Sequence, residues 1–176
     1  AMANNDLGQA KAAIERADEA LKQKPDHDTE DNARYEKASA LYELCQFDDA
    51  QVLFKKLLNA PGKEAFAHYQ LGLLAERKGD EAGAQAEFKT ARQLEPTRFP
   101  EVATTKESFQ AMLDRQLKLL PEAMKKDLVG IPVTAMDLPP IDDLVLTDPP
   151  LSPTILGIFR GPPLGQPCDE GEKVCR

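Results

Sequence analysis

The chain has 176 residues, 41% apolar and 30% charged, which is enough for one ordinary domain or for a small repeat array plus an attachment. Its 30 Asp and Glu against 22 Lys and Arg give a net charge of -8. That balance argues against nucleic acid or an anionic membrane as the main partner, because both demand a basic face. No apolar run approaches the ~20 residues of a membrane helix, and residues 1–20 are polar and alanine-rich rather than a secretory signal, so a cytoplasmic location is expected.

Helices are expected at about 5–23, 30–44, 48–59, 64–78, 82–94 and 101–119, with a shorter one at about 121–128 after Pro121. Asp48 is the expected N-cap of the third. Composition then changes near residue 130. Of the 36 residues from Pro132 to Pro167, 9 are proline, and proline at that density cannot lie inside helices. The chain therefore divides into a helical part, roughly 1–129, and an extended, turn-rich part, roughly 130–176, and by domain into helical repeats at 4–100 and a second part at 101–176. The second part comprises a capping helix and an extended, turn-rich segment.

The helical part repeats. At a shift of 34, Tyr35, Ala38, Ala50 and Phe54 fall on Tyr69, Gly72, Ala84 and Phe88. Ala50 and Phe54, like Ala84 and Phe88, stand four apart and share a helix face. Ala91 extends that face, and Pro96 stops the helix. An earlier partial unit runs Ala13, Ala17, Ala20, Leu21, Pro25. This period and pattern resemble the tetratricopeptide repeat. The resemblance implies a mainly α fold of antiparallel helix pairs wound as a right-handed superhelix. Gly72 and Ala84 would let two helices approach closely, and Phe88 would fill the gap to the next unit.

In the repeat resemblance, first-helix residues line a concave face. Here they are Asn32, Tyr35, Ser39 and Tyr42 from one unit and Phe66, Tyr69, Leu73 and Arg77 from the next. The rings form a strip suited to a peptide or a docked partner segment. The competing reading makes Tyr35 and Tyr69 ordinary packing residues between first helices. Some repeat domains clamp a carboxylate with Lys and Asn at positions held here by Tyr35 and Ser39, so that specificity is not transferred.

The acids Asp26, Asp28, Glu30 and Asp31 cluster at a loop that lacks the alternating acids and central Gly of a calcium loop, and they read as a solvated turn. The acids Asp142, Asp143 and Asp148 in the Pro-rich stretch read the same way, and Lys55, Lys56 and Lys63 are too few for a nucleic-acid patch. No phosphate loop, dinucleotide fingerprint or nucleophile elbow occurs. His27 and His68 stand 41 positions apart, which excludes most metal sites built on histidine from this chain alone.

The helix at 101–119 carries Phe109, Met112, Leu113, Leu117 and Leu120 in one apolar stripe, either as a cap on the repeats or as the first element of a second domain. It ends in Leu120-Pro121-Glu122. An extended stretch at Ile131–Pro140 follows, and then the block Ile155-Leu156-Gly157-Ile158-Phe159-Arg160-Gly161-Pro162-Pro163-Leu164. In this order, roughly residues 105–166 resemble the N-terminal half of the minimal zincin-like metallopeptidases, a family of small bacterial domains. The resemblance implies a partial α+β segment with a strand leading into the Pro-rich loop. It also implies a zinc-binding His-Glu-x-x-His helix further downstream. No His follows residue 68, so no catalytic residue, metal ligand or cofactor is assigned to this chain, and zinc would belong to a longer parent protein.

Three explanations follow from that departure. The chain is a truncated piece of a zinc peptidase whose catalytic helix lies beyond Arg176, or a natural non-catalytic relative, or a protein whose sheet a second chain completes by strand addition through residues 131–165. The first is favoured. The resulting expectation is a protein-interaction module attached to the non-catalytic front of a metallopeptidase, recruiting or positioning a protein or peptide partner. Cys168 and Cys175, seven apart, would form a disulfide in an oxidising compartment, and reduced thiols are expected in a cytoplasm. Cys45 reads as a small packing residue.

Overall fold

The structure is a computed structural model that describes residues 7–101 and 104–160. The described residues are mainly helical and contain no strand. In chain order the helices are α1 (Leu7–Lys22), α2 (His27–Glu43), α3 (Phe47–Lys56), α4 (Glu64–Arg77), α5 (Glu81–Leu94), α6 (Lys106–Leu119), α7 (Glu122–Asp127) and α8 (Ile141–Leu144). A 3-10 turn, Leu57–Asn59, extends α3. The chain forms two compact units. One holds residues 7–101 with 140–154, and the other holds 104–139 with 155–160. The chain thus passes between units near 101, and again near 139 and 154.

In the first unit α1 packs on α2, α2 on α3, α3 on α4 and α4 on α5. Small residues permit the first contact. Ala10 and Ala17 of α1 are buried, and Ala10 meets Ala40 and Leu44 with Ala13 and Ile14 alongside. The main core lies between α2, α3 and α4, around Ala38, Leu41, Ala50, Phe54, Leu57, Ala67, Leu71 and Leu74. Phe54, Leu57 and Leu74 are fully buried. Helix starts are capped by acids. Asp26 Oδ1 accepts from the Thr29 N–H at 2.8 Å, and that bond holds the Asp26 carboxyl below the usual carboxylate range. Asp80 Oδ1 accepts from the Gly83 N–H at 2.9 Å. Of the other loop acids, Glu30 pairs with Arg34, Asp31 lies 3.0 Å from Arg34, and Asp28 accepts from the Asn32 amide at 3.5 Å.

The 34-residue repeat is visible in the backbone. α2 ends with Cys45 in the left-handed region at φ +58°, and the Gln46 N–H reaches back to the Leu41 carbonyl at 2.9 Å. α4 ends with Gly79 at φ +77°, and the Asp80 N–H reaches the Ala75 carbonyl at 2.9 Å. Both are the same C-terminal closure, one using the favoured glycine and the other a side chain that resists that conformation. Gln46, rather than Asp48, is the N-cap residue of α3, and its side chain makes no capping bond. Asp48 lies in the first turn, where it meets Lys78 Nζ at 3.0 Å.

The aromatic residues of the two repeats behave differently. A Cβ at Gly72 would lie 2.5 Å from Phe88 Cε1, so this glycine admits the Phe88 ring against the backbone of α4. Phe88 also meets Tyr69 at 5.5 Å. It packs within its own helix pair, on α4. Phe54 makes a crossing contact, edge-on to Phe66 of the next pair at 6.0 Å.

In the second unit Thr105 Oγ1 caps α6 by accepting from the Ser108 N–H, and Leu120-Pro121 breaks α6 from α7. No residue of α6 is buried. Residues 131–136 have no regular secondary structure, and a side chain of α6 bonds their backbone. Gln110 Nε2 donates to the Val133 carbonyl at 3.1 Å, and Gln110 Oε1 accepts from the Ala135 N–H at 2.6 Å. The expected strand before the Pro-rich loop is thus a non-strand segment clamped to α6. Of the block at 155–164, residues 155–160 lack regular structure, and Leu156 and Phe159 are exposed. Gly161, Pro162, Pro163, Leu164, Cys168 and Cys175 lie outside the described residues.

Candidate functional site

The residues of the strip expected on α2 and α4 differ in depth. Spacings of four and seven put Tyr35, Ser39 and Tyr42 on one face of α2, and Phe66, Tyr69, Leu73 and Arg77 follow one face of α4. Tyr42 and Phe66 are buried in the main core. Tyr35 and Leu73 are half-buried against it, and Tyr69 is also half-buried. Asn32 is exposed. The rings meet in sequence: Tyr35 to Phe66 at 4.6 Å, and Tyr42 to Phe47 at 5.5 Å. Ser39 Oγ is buried and has no hydrogen-bond partner among the described residues.

Sequence reasoning missed four members. After α5, Pro96-Thr-Arg-Phe-Pro100 turns back, with the Phe99 N–H bonded to the Glu95 carbonyl at 3.0 Å. This places Phe99 in a stack on Tyr69 at 4.8 Å. The Arg98 guanidinium lies 5.7 Å from the Phe66 ring and 5.4 Å from Phe99. Lys63 Nζ lies 4.9 Å over Tyr35, and Arg77 lies 4.8 Å over Phe47. An aromatic residue between two prolines just past a helix end was the available signal. Prolines fix the backbone, so such a ring is held in place at small entropic cost.

The electrostatics follow from this packing. Burial pushes the Tyr35 hydroxyl above its ordinary pKa, with Arg98 acting in the opposite sense. Burial pushes Tyr42 up to about 12 against the opposing charge of Arg77. Neither phenol is a base or nucleophile near neutral pH. The strip thus carries neutral rings, with Lys63 and Arg98 as cations at half-exposed and exposed positions, and Arg98 lies 3.5 Å from Glu95.

His68 Nδ1 is 2.6 Å from Glu87 Oε2, a contact linking α4 and α5. Among the described residues, no group of three or more His, Cys, Asp or Glu side chains comes together as a metal site would require. Ser152 Oγ meets Thr154 Oγ1 at 2.8 Å, and Asp148 pairs with Lys11 at 3.3 Å. A cleft of about 410 Å³ between α1 and α2 is lined largely by Ala13, Ala17, Ala20 and Ala33, where small side chains leave a furrow. No described helix is long and apolar enough to cross a membrane. No family model, no curated protein and no solved structure matches the chain.

Proposed function

We propose that this chain is a protein-interaction module. It is a short tetratricopeptide-type array of antiparallel helix pairs, wound as a right-handed superhelix and attached to the non-catalytic front of a zincin-like metallopeptidase. It recruits or positions a protein partner on the face of α2 and α4. The observation that carries this reading is the shared register of 34. Cys45 and Gly79 close equivalent helices in the same left-handed conformation, and Tyr35 and Tyr69 stand at equivalent places on one line of rings. Two units in register make one continuous face, and a continuous face suits an extended partner. Lys63 and Arg98 select acidic residues in that partner. The hydrolytic chemistry of a metallopeptidase is not assigned here, because the described residues do not fit a zinc ion.

Selection of a displayed random peptide library on the whole chain tests this reading. Enriched peptides carry Asp or Glu beside apolar residues. Lys63→Glu and Arg98→Glu lower their affinity at least tenfold while the melting temperature holds. Tyr35→Ala and Tyr69→Ala do the same, provided the helices stay folded. Peptides that bind all four variants as well as the parent chain refute the assignment, and so does a library that yields no binder.

A further inference from the structure

The chain leaves the helical unit near residue 101, builds a separate unit, and comes back for only 15 residues, 140–154, before leaving again. Named contacts seat the returning segment on the helical unit. Leu144 is fully buried, and Pro153 is the one other buried residue described after residue 101. Lys11 Nζ of α1 holds Asp148 at 3.3 Å, with both side chains largely exposed. The Cys45 thiol, at the turn between α2 and α3, donates to the Leu151 carbonyl at 3.8 Å. The Leu151 N–H bonds to the Leu144 carbonyl at 2.7 Å and closes the segment into a loop. Around this anchor Ile141, Val145 and Leu146 remain exposed. Of the contacts that hold the segment, the ion pair is solvent-exposed and the thiol bond is weak, and each returns little for the residues it orders.

The segment has a distinct chemistry. It carries Asp142, Asp143 and Asp148, four prolines besides, and no Lys, Arg or His. Prolines keep it extended and reduce the entropy lost on docking. Its contacts with the helical unit include Lys11 and the thiol of Cys45.

We infer that residues 140–154 are a displaceable latch held in cis on the helical unit, and that the surface at Lys11 and the α2–α3 turn is a docking site for an acidic, proline-bearing segment with one anchoring leucine. This site is separate from the strip on α2 and α4, and it stands or falls independently of that strip. While the latch is seated, a second segment of the same chemistry is excluded. When the latch opens, the site is free and Cys45 is uncovered.

The test uses the full chain and a fluorescein-labelled synthetic peptide of residues 140–154, followed by anisotropy. Leu144→Asp empties the site, and the labelled peptide then binds at least tenfold more tightly than it binds the parent chain. Adding Lys11→Glu to that variant loses the gain, and a peptide with lysine at the Asp148 position restores it. Asp148→Lys, an exposed change that spares the core, exposes Cys45. Alkylation at Cys45, followed by mass spectrometry with Cys168→Ser and Cys175→Ser in place, becomes several-fold faster than in the matched parent. Equal peptide binding by parent and Leu144→Asp, with helical content intact, overturns the inference. Unchanged Cys45 alkylation in Asp148→Lys overturns it as well, even where Leu144→Asp fails to fold. A parent chain that is dimeric by light scattering and becomes monomeric in Leu144→Asp also overturns the cis assignment, in favour of exchange between two copies.

Discussion

Replacing Gly72 by alanine puts two opposing effects in direct competition. A Cβ there lies 2.5 Å from Phe88 Cε1, 2.6 Å from Cδ1 and 3.1 Å from Cζ. Carbon atoms rest at about 3.5–4.0 Å, so the ring must move by about an ångström. Pushing α4 and α5 apart is overpacking, which costs about 1–3 kcal/mol. Swinging the ring outward instead gives up its contact with Tyr69, and such aromatic pairs contribute about 0.5–1.5 kcal/mol. Against either stands the helix preference of alanine over glycine, about 0.5–1 kcal/mol. The clash wins. Gly72→Ala should lower stability by about 0.5–2 kcal/mol, or about 2–6 °C in melting temperature for a chain of this size. Urea denaturation followed by circular dichroism at 222 nm measures it. The double variant Gly72→Ala/Phe88→Ala should be less destabilised than the two singles summed, by about 1 kcal/mol, because the methyl group occupies space the ring vacates. A higher midpoint for Gly72→Ala, or strict additivity in the cycle, would refute the close packing of ring on backbone.

Gln46 and Asp80 are equivalent N-cap residues with nearly the same backbone, φ −85° and ψ 64° against φ −86° and ψ 77°, yet only Asp80 caps with its side chain. Gln46→Asp should therefore raise stability by about 0.5–1 kcal/mol, read as a shifted urea midpoint with an unchanged slope. Tyr42 titrates at about 12 in the fold against 10.0 ordinarily, so its neutral form is favoured by folding. That contribution is fully present below pH 10 and is lost as pH rises from about 10 to 12, at up to about 1.4 kcal/mol per pH unit. Stability measured across that window should fall less steeply in Tyr42→Phe. In the second unit, Gln110→Ala should speed amide exchange at Ala135 at least tenfold while leaving exchange in α2 and α4 unchanged, since Gln110 Oε1 is the acceptor for that N–H.

Most helices were legible because alanine and leucine recur at three- and four-residue steps, and that period survives into the packing. Expected and observed helix ends agree within a few residues except at α6, which starts at Lys106 rather than 101, where Thr105 supplies the cap. The side-chain depths within the strip were less legible. Tyr35 and Tyr42 look alike in sequence, but Tyr42 lies in the last full turn of α2, beside Phe47 and Arg77, and is buried there. Phe99 and Arg98 were invisible as site members because no periodic pattern covers a five-residue turn. α8 was missed for a related reason. Four residues after a proline carry too little pattern to separate a helical turn from a loop.

The two repeats also explain why the turn at Cys45 differs from the turn at Gly79. A side chain in the left-handed region carries a steric cost that glycine avoids, of about 1–2 kcal/mol. At Gly79 nothing else lies close enough for a side chain to touch; even an added Cβ would meet no atom within 4 Å. At Cys45 the side chain has a partner, because the thiol reaches the Leu151 carbonyl of the returning segment. Burial there also raises the thiol pKa, so the sulfur stays protonated and remains a hydrogen-bond donor. The same fold position is thus used in one repeat for closure alone and in the other for closure plus attachment. The strain at Cys45 persists where a second segment of the chain needs a donor, and that is what separates this turn from its equivalent 34 residues on.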